Sequence, residues 1–259
     1  AFSFPLIDQQ RNYVYYDIRY DKAQYNFIVE NGLYLIKNLA AKEPVQMPSS
    51  SPPSTLGSIM VKAAWRVRTE KDDPDRYYST TAQTLDPRTG QCVPTPVLLV
   101  GLHIAHKVSP FSEWVWSTFE QVDNVPPDGP APTATPAAGY SFNNGTPTPQ
   151  TTGGFDYKPP LDFQPDPSKR KPVQVTRVNP IPATPAGAST RDVNAYFQQL
   201  LKGTVWQYYQ LVVTQWPANP SAFVTMEAGG IYPRDSGGAF PADGAVNTTM
   251  VTYFLSPND

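Results

Sequence analysis

The sequence predicts a mainly β protein, an antiparallel sandwich or barrel-like sheet with two peripheral helices and a long Pro-rich irregular excursion. Three features predict it. Segments of alternating apolar and polar residues, rich in Val, Thr, Tyr and Trp, recur along the chain. Pro and Gly punctuate each step, which favours antiparallel strands over strand–helix–strand units. Between Val125 and Arg191 lie 15 of the 30 prolines, and a stretch so poor in backbone donors cannot form a regular ladder.

Residues 4–20, FPLIDQQRNYVYYDIRY, read as a strand-rich opening. Asp21 then offers an N-cap with Gln24 at the capping-box position, and Asn31-Gly32 supplies a stop, so a helix is expected between them. Residues 41–56 form a Pro/Ser loop. GSIMVKAAWRVR after it alternates as a strand, with Ile59, Val61, Ala63, Trp65 and Val67 on one face. RYYSTTAQTL, the DPRTG turn, VLLVGLHIAHKV and EWVWSTFEQV continue the strand–turn–strand pattern from Tyr77 to Val125. The chain reads as one β-rich domain, 1–259, in which 126–190 is an insertion packed on or beside the sheet through Tyr140, Phe142, Phe155, Tyr157 and Phe163. Ser189 or Thr190 caps a second helix with Val193, Phe197, Leu200 and Leu201 as its apolar stripe and Gly203 as its stop. TVWQYYQLVVTQW then reads as a strand.

With 40% hydrophobic residues the chain can build a core, while 16% charged residues and a formal charge of −2 leave no basic surface for nucleic acid. No apolar run reaches the roughly 20 residues that span a bilayer, and Ala1 opens directly into patterned sequence, as in an exported protein after leader removal. Low charge with abundant Pro, Thr, Gln, Asn and Tyr points the same way. Cys92, the single cysteine, excludes an internal disulfide and any Cys-x-x-Cys metal site.

Both histidines, His103 and His106, sit three apart in a β-branched segment, and odd spacing on a strand sends them to opposite faces. A two-histidine metal site from this segment is therefore disfavoured; the pair reads first as one hydrogen-bonded structural histidine and one surface histidine, and second as a single metal or haem ligand at either position. Glu113 and Glu120 are seven residues apart, roughly 23 Å on a strand, against the roughly 5–10 Å of a glycosidase pair. Glu120 and Asp123 read as a solvated strand end. Gly-x-Ser-x-Gly is absent, and DSGG at 235–238 lacks the histidine setting of a serine protease. Trp65, Trp114, Trp116, Trp206 and Trp216 read first as core and cross-strand pairs, second as a sugar-stacking platform.

The stretches PLIDQQRNYVYYDIRYDKAQYNFIVENGLY, GSIMVKAAWRV, VGLHIAHKVSPFSEWVWSTFEQVDNVP, WQYYQLVVTQWPANP and VNTTMVTYF together resemble a family of exported bacterial proteins labelled as c-type cytochromes. In that family the segment like NTTMVTYF leads into a Cys-x-x-Cys-His haem site. Here the sequence runs to LSPND at Asp259 with Cys92 alone and so carries no covalent attachment site: either the haem-bearing tail has been lost or cut away, or this member works without haem. The resemblance implies the fold and a periplasmic or extracellular location; a non-covalent haem would draw on His103, His106, Met226 or Met250. The expected function is a non-enzymatic binding or assembly module without a cofactor, with Trp114, Trp116, Glu120 and Asp123 as its binding wall and a protein partner, self-assembly or a polysaccharide as its target. A redox protein with haem or one transition metal, and an enzyme on polysaccharide, are the alternatives.

Overall fold

The computed structural model describes residues 6–41, 45–50, 55–86, 88–109, 114–127, 136, 139–145, 164–177, 179–215 and 247–250. The protein is mainly β. Its strands are β1 (Val14–Tyr20), β2 (Ile59–Val67), β3 (Ser79–Leu85), β4 (Cys92–Lys107), β5 (Trp114–Gln121) and β6 (Tyr209–Gln215). They form one six-stranded sheet in the order β1-β2-β4-β5-β6, with β3 paired to the first half of β4. All pairings are antiparallel, and the sheet does not close into a barrel. In place of a facing second sheet, irregular chain covers it.

The 16-residue β4 organises the sheet, since it pairs with β2, β3 and β5. It begins at Cys92, earlier than the sequence suggests, and passes through Pro94 and Pro96. These are tolerated because Leu99 donates to Tyr78 O, which sets the odd residues toward β3 and turns the missing proline donors away from it. Cys92 is thus an exposed strand residue rather than part of a turn. At Val100 a bulge interrupts the alternation: Ala64 faces Gly101 but Trp65 faces Leu99. Leu99 therefore leaves the His103 face, on which simple alternation had placed it.

Helix α1 (Lys22–Glu30) starts where Asp21 accepts the Gln24 N–H at 3.0 Å and stops at Gly32, whose φ of +61° fits glycine. A further short helix, α2 (Ile36–Ala41), was not legible in the sequence. Helix α3 (Thr190–Leu200) carries a full capping box, Ser189 with Asp192. TVWQYY opens as a 3-10 turn, Val205–Tyr208, before β6 begins.

The core lies on one face of the sheet. Val14, Ala64, Leu98 and Val100 meet Phe142, Val173, Val175 and Met250 there. Phe142 is fully buried, its N–H donating to Asn124 O at 2.9 Å while its carbonyl accepts from Val175 at 2.8 Å. Phe155, Tyr157 and Phe163 fall outside the described residues.

Candidate functional site

The two histidines lie on opposite faces, as the strand spacing requires: His103 shares a cross-strand row with Lys62 and Thr118, His106 one with Ile59 and Val115. His103 meets Trp116 edge-on at 6.3 Å between ring centroids, and its Nε2 is buried with no hydrogen-bond partner among the described residues. Burial, reinforced by the neighbouring Lys62 ammonium, pushes its pKa down to about 4, so the ring is neutral at pH 7. His106 Nε2 bonds the Leu56 carbonyl. Met250 packs over Gly101 on the His103 face, where a Cβ at Gly101 would strike both Thr249 and Met250. The fold thus brings His103 and Met250 to one side and His106 to the other; Met226 lies outside the described residues. Among those residues no group of three or more His, Cys, Asp or Glu is arranged to hold a metal.

Glu120 and Asp123 depart from the expected solvated strand end. Both are buried, Glu120 at 1% exposure. Glu120 accepts from Thr248 N at 3.1 Å, from Thr248 Oγ1 at 2.6 Å and from Gln210 Nε2 at 3.4 Å, and it pairs with Arg177. Asp123 is gripped by Arg76, with Nε and Nη2 each 2.7 Å from a carboxylate oxygen. The irregular layer over the core face, invisible to strand alternation, buries them. Their role is to fasten that layer: Glu120 joins β6, residues 164–177 and residues 247–250 to β5. Trp114 and Trp116 are half-buried, and Glu113 is outside the described residues.

The opposite face carries an aromatic cluster in which Tyr78 stacks on Trp206 at 5.2 Å and Trp206 meets Tyr209 at 5.3 Å. The Tyr209 hydroxyl accepts from Tyr78 N and donates to Leu99 O. Tyr78 precedes β3 and Trp206 lies in the 3-10 turn before β6, and both are exposed, at 41% and 40%. Trp216 is outside the described residues.

A third buried cluster had no sequence signal. Arg66, 3% exposed, bonds both oxygens of Asp72, at 2.5 and 3.1 Å, and faces Asp8 at 3.8 Å. Burial raises the Asp8 pKa to about 6 despite the Asn12 N–H and Arg66 nearby.

The β1 and β6 edges of the sheet are finished differently, β3 being a third edge strand that pairs with β4 alone. At β6, Asn194 of α3 donates Nδ2 to Leu211 O at 2.8 Å and accepts Leu211 N at 2.7 Å, so one side-chain amide replaces a neighbouring strand's peptide. Gln198, one turn on, reaches Tyr209 O at 3.4 Å. This inverts the expected packing of α3. Its polar face docks on the strand, and the apolar stripe of Val193, Phe197 and Leu200 is exposed. At β1, Val14 N donates to Leu6 O and Asp21 N donates to Ile59 O, so the odd residues turn their backbone toward β2 and the even ones outward. Among the described residues nothing bonds the outward N–H and C=O groups of Tyr16, Ile18 and Tyr20. Their side chains are exposed as well, Ile18 at 59%.

Set beside known proteins, the chain matches no protein-family model, no curated protein and no solved structure.

Proposed function

We propose that the chain is an exported, non-enzymatic binding or assembly module that docks through the surface built by β1, α1 and α2. One observation carries this reading: residues 16–39 leave large apolar side chains in water, with Tyr34 at 67% and Ile36 at 86% exposed and Tyr16, Ile18, Tyr20 and Leu39 exposed in the same stretch of chain. Scattered exposed apolar residues are ordinary, but a run of them over consecutive elements of the chain, one of them an edge strand, supports an interaction site. The low charge and the Pro/Thr/Gln/Asn-rich texture support an exported setting. Sedimentation velocity of the full chain from nanomolar to submillimolar concentration, with and without Tyr34→Ser, Ile36→Ser and Leu39→Ser together, tests it for self-docking. A mass that rises with concentration and falls back in the triple variant is expected; a monomer at every concentration overturns self-docking.

A second reading, haem or one metal held at His103, draws on one observation: a neutral imidazole whose buried Nε2 has no partner among the described residues shares a face with the Met250 thioether. A Soret band or a stoichiometric metal in protein from its native host, lost in His103→Ala, is the expected result. A colourless, metal-free protein overturns it.

A further inference from the structure

We infer that the docking partner of β1 is β1 of a second copy, paired antiparallel about a two-fold axis through Ile18 so that the sheet runs on into its symmetry mate. The inference rests on the docking reading above and names its occupant.

The free part of the edge has definite limits. At one end Val14 N is already taken by Leu6 O; at the other, α1 begins at Lys22. The outward backbone groups left over belong to Tyr16, Ile18 and Tyr20, a set symmetric about Ile18. In an antiparallel pair centred there, Ile18 opposes Ile18 and Tyr16 opposes Tyr20, always outward residue against outward residue, which is the condition for reciprocal N–H to C=O bonds. A shift by one residue would set outward groups against inward ones.

The side chains obey the same centre. Asp17 and Arg19, on the other face, are 36% and 82% exposed at their side chains, and Arg19 Nε already lies 2.7 Å from Asp17 Oδ2. Charges on an edge strand usually deter pairing. These two have opposite signs at equal distance from Ile18, so the two-fold places each Asp17 opposite the partner's Arg19, and the two-residue slips that would oppose Asp17 with Asp17 or Arg19 with Arg19 are deterred. The strand is also held ready: the Tyr16 hydroxyl donates to Thr249 O at 2.7 Å, and Lys62 sits 5.0 Å from the Tyr16 ring. A pairing of this kind is isologous and closes at two copies.

Charge reversal tests it on the full chain. Asp17→Arg alone and Arg19→Asp alone each oppose like charges twice, and each is expected to weaken dimerisation at least tenfold by sedimentation equilibrium. The double variant, and a one-to-one mixture of the two single variants, restore opposite pairs and are expected to dimerise as the unaltered protein does. Circular dichroism confirms that each variant is folded. In a Cys92→Ser background, Ile18→Cys is expected to form an intermolecular disulfide under mild oxidation, because paired Cα atoms at about 5.5 Å lie within disulfide reach. Tyr20→Cys is not, because its own symmetry mate lies roughly 13 Å away along the strands. A dimer indifferent to both charge reversals, with no Ile18→Cys cross-link, overturns this pairing and leaves docking through another part of the surface. A protein monomeric throughout overturns the pairing and self-docking together.

Discussion

The β1 and β6 edges of one sheet solve the same problem in opposite ways. β6 is guarded: Asn194 of α3 occupies both the donor and the acceptor of Leu211, and the helix gives up the burial of its own apolar stripe to do so. β1 is open, with Tyr16, Ile18 and Tyr20 offering backbone and apolar side chains together. An unsatisfied apolar edge is a template for another strand, and β1 offers one, whereas β3, also paired on one side only, carries mainly Ser, Thr and Gln. The contrast also reaches the interior. Beneath the guarded side lies the Glu120 knot, which ties β6 through Gln210 to the covering layer.

The contrast breaks hardest at that knot. Glu120→Ala removes a buried carboxylate that pairs with Arg177 and accepts from Thr248, and is expected to remove about 3–5 kcal/mol of stability, measured by urea unfolding. Next comes the guard itself. Asn194→Leu frees Leu211 N and O and is expected to cost ~1–3 kcal/mol and to open the β6 edge, seen as increased light scattering. A variant as stable and as monodisperse as the parent would show that α3 does not protect β6.

Between the edges, pH is the lever. The His103 pKa falls from 6.5 to about 4 on folding, so the fold favours the neutral ring; its stabilisation is full above 6.5 and is lost as pH falls toward 4. The loss amounts to roughly 1–2 kcal/mol once its partial solvent access is discounted. Asp8 runs the other way: its pKa rises from 3.8 to about 6, so its contribution is full below 3.8 and is lost as pH rises through 6. Stability curves of His103→Gln and Asp8→Asn between pH 4 and 7 separate the two, His103→Gln flattening the fall toward acid and Asp8→Asn the fall toward neutrality. The smallest effect belongs to the open edge. Ile18→Thr touches little within its own chain and is expected to change monomer stability by less than about 0.5 kcal/mol, in urea unfolding at a concentration where the protein is a monomer. A larger change would mean that Ile18 already has a partner inside the molecule.

Local chemistry determined much of this protein. Alternation set β2, β3 and β5, the Asp21 and Ser189 caps set where α1 and α3 begin, and the odd spacing of His103 and His106 sent them to opposite faces, because each depends only on near neighbours along the chain. Even the open edge is written in a five-residue palindrome of character, Tyr-Asp-Ile-Arg-Tyr, although its meaning appears only once β1 is known to pair with β2 on one side and, among the described residues, to leave Tyr16, Ile18 and Tyr20 unbonded on the other. Tertiary structure decided the rest. The bulge at Val100 turned Leu99 to the other face, and α3 spent its polar face on β6 instead of burying its apolar stripe. Glu120 and Asp123 went from a strand end to the interior because partners as distant as Arg76, Arg177 and Thr248 close over them. Burial and pairing of that kind depend on which segments meet in space, a property that spacing along a chain does not encode.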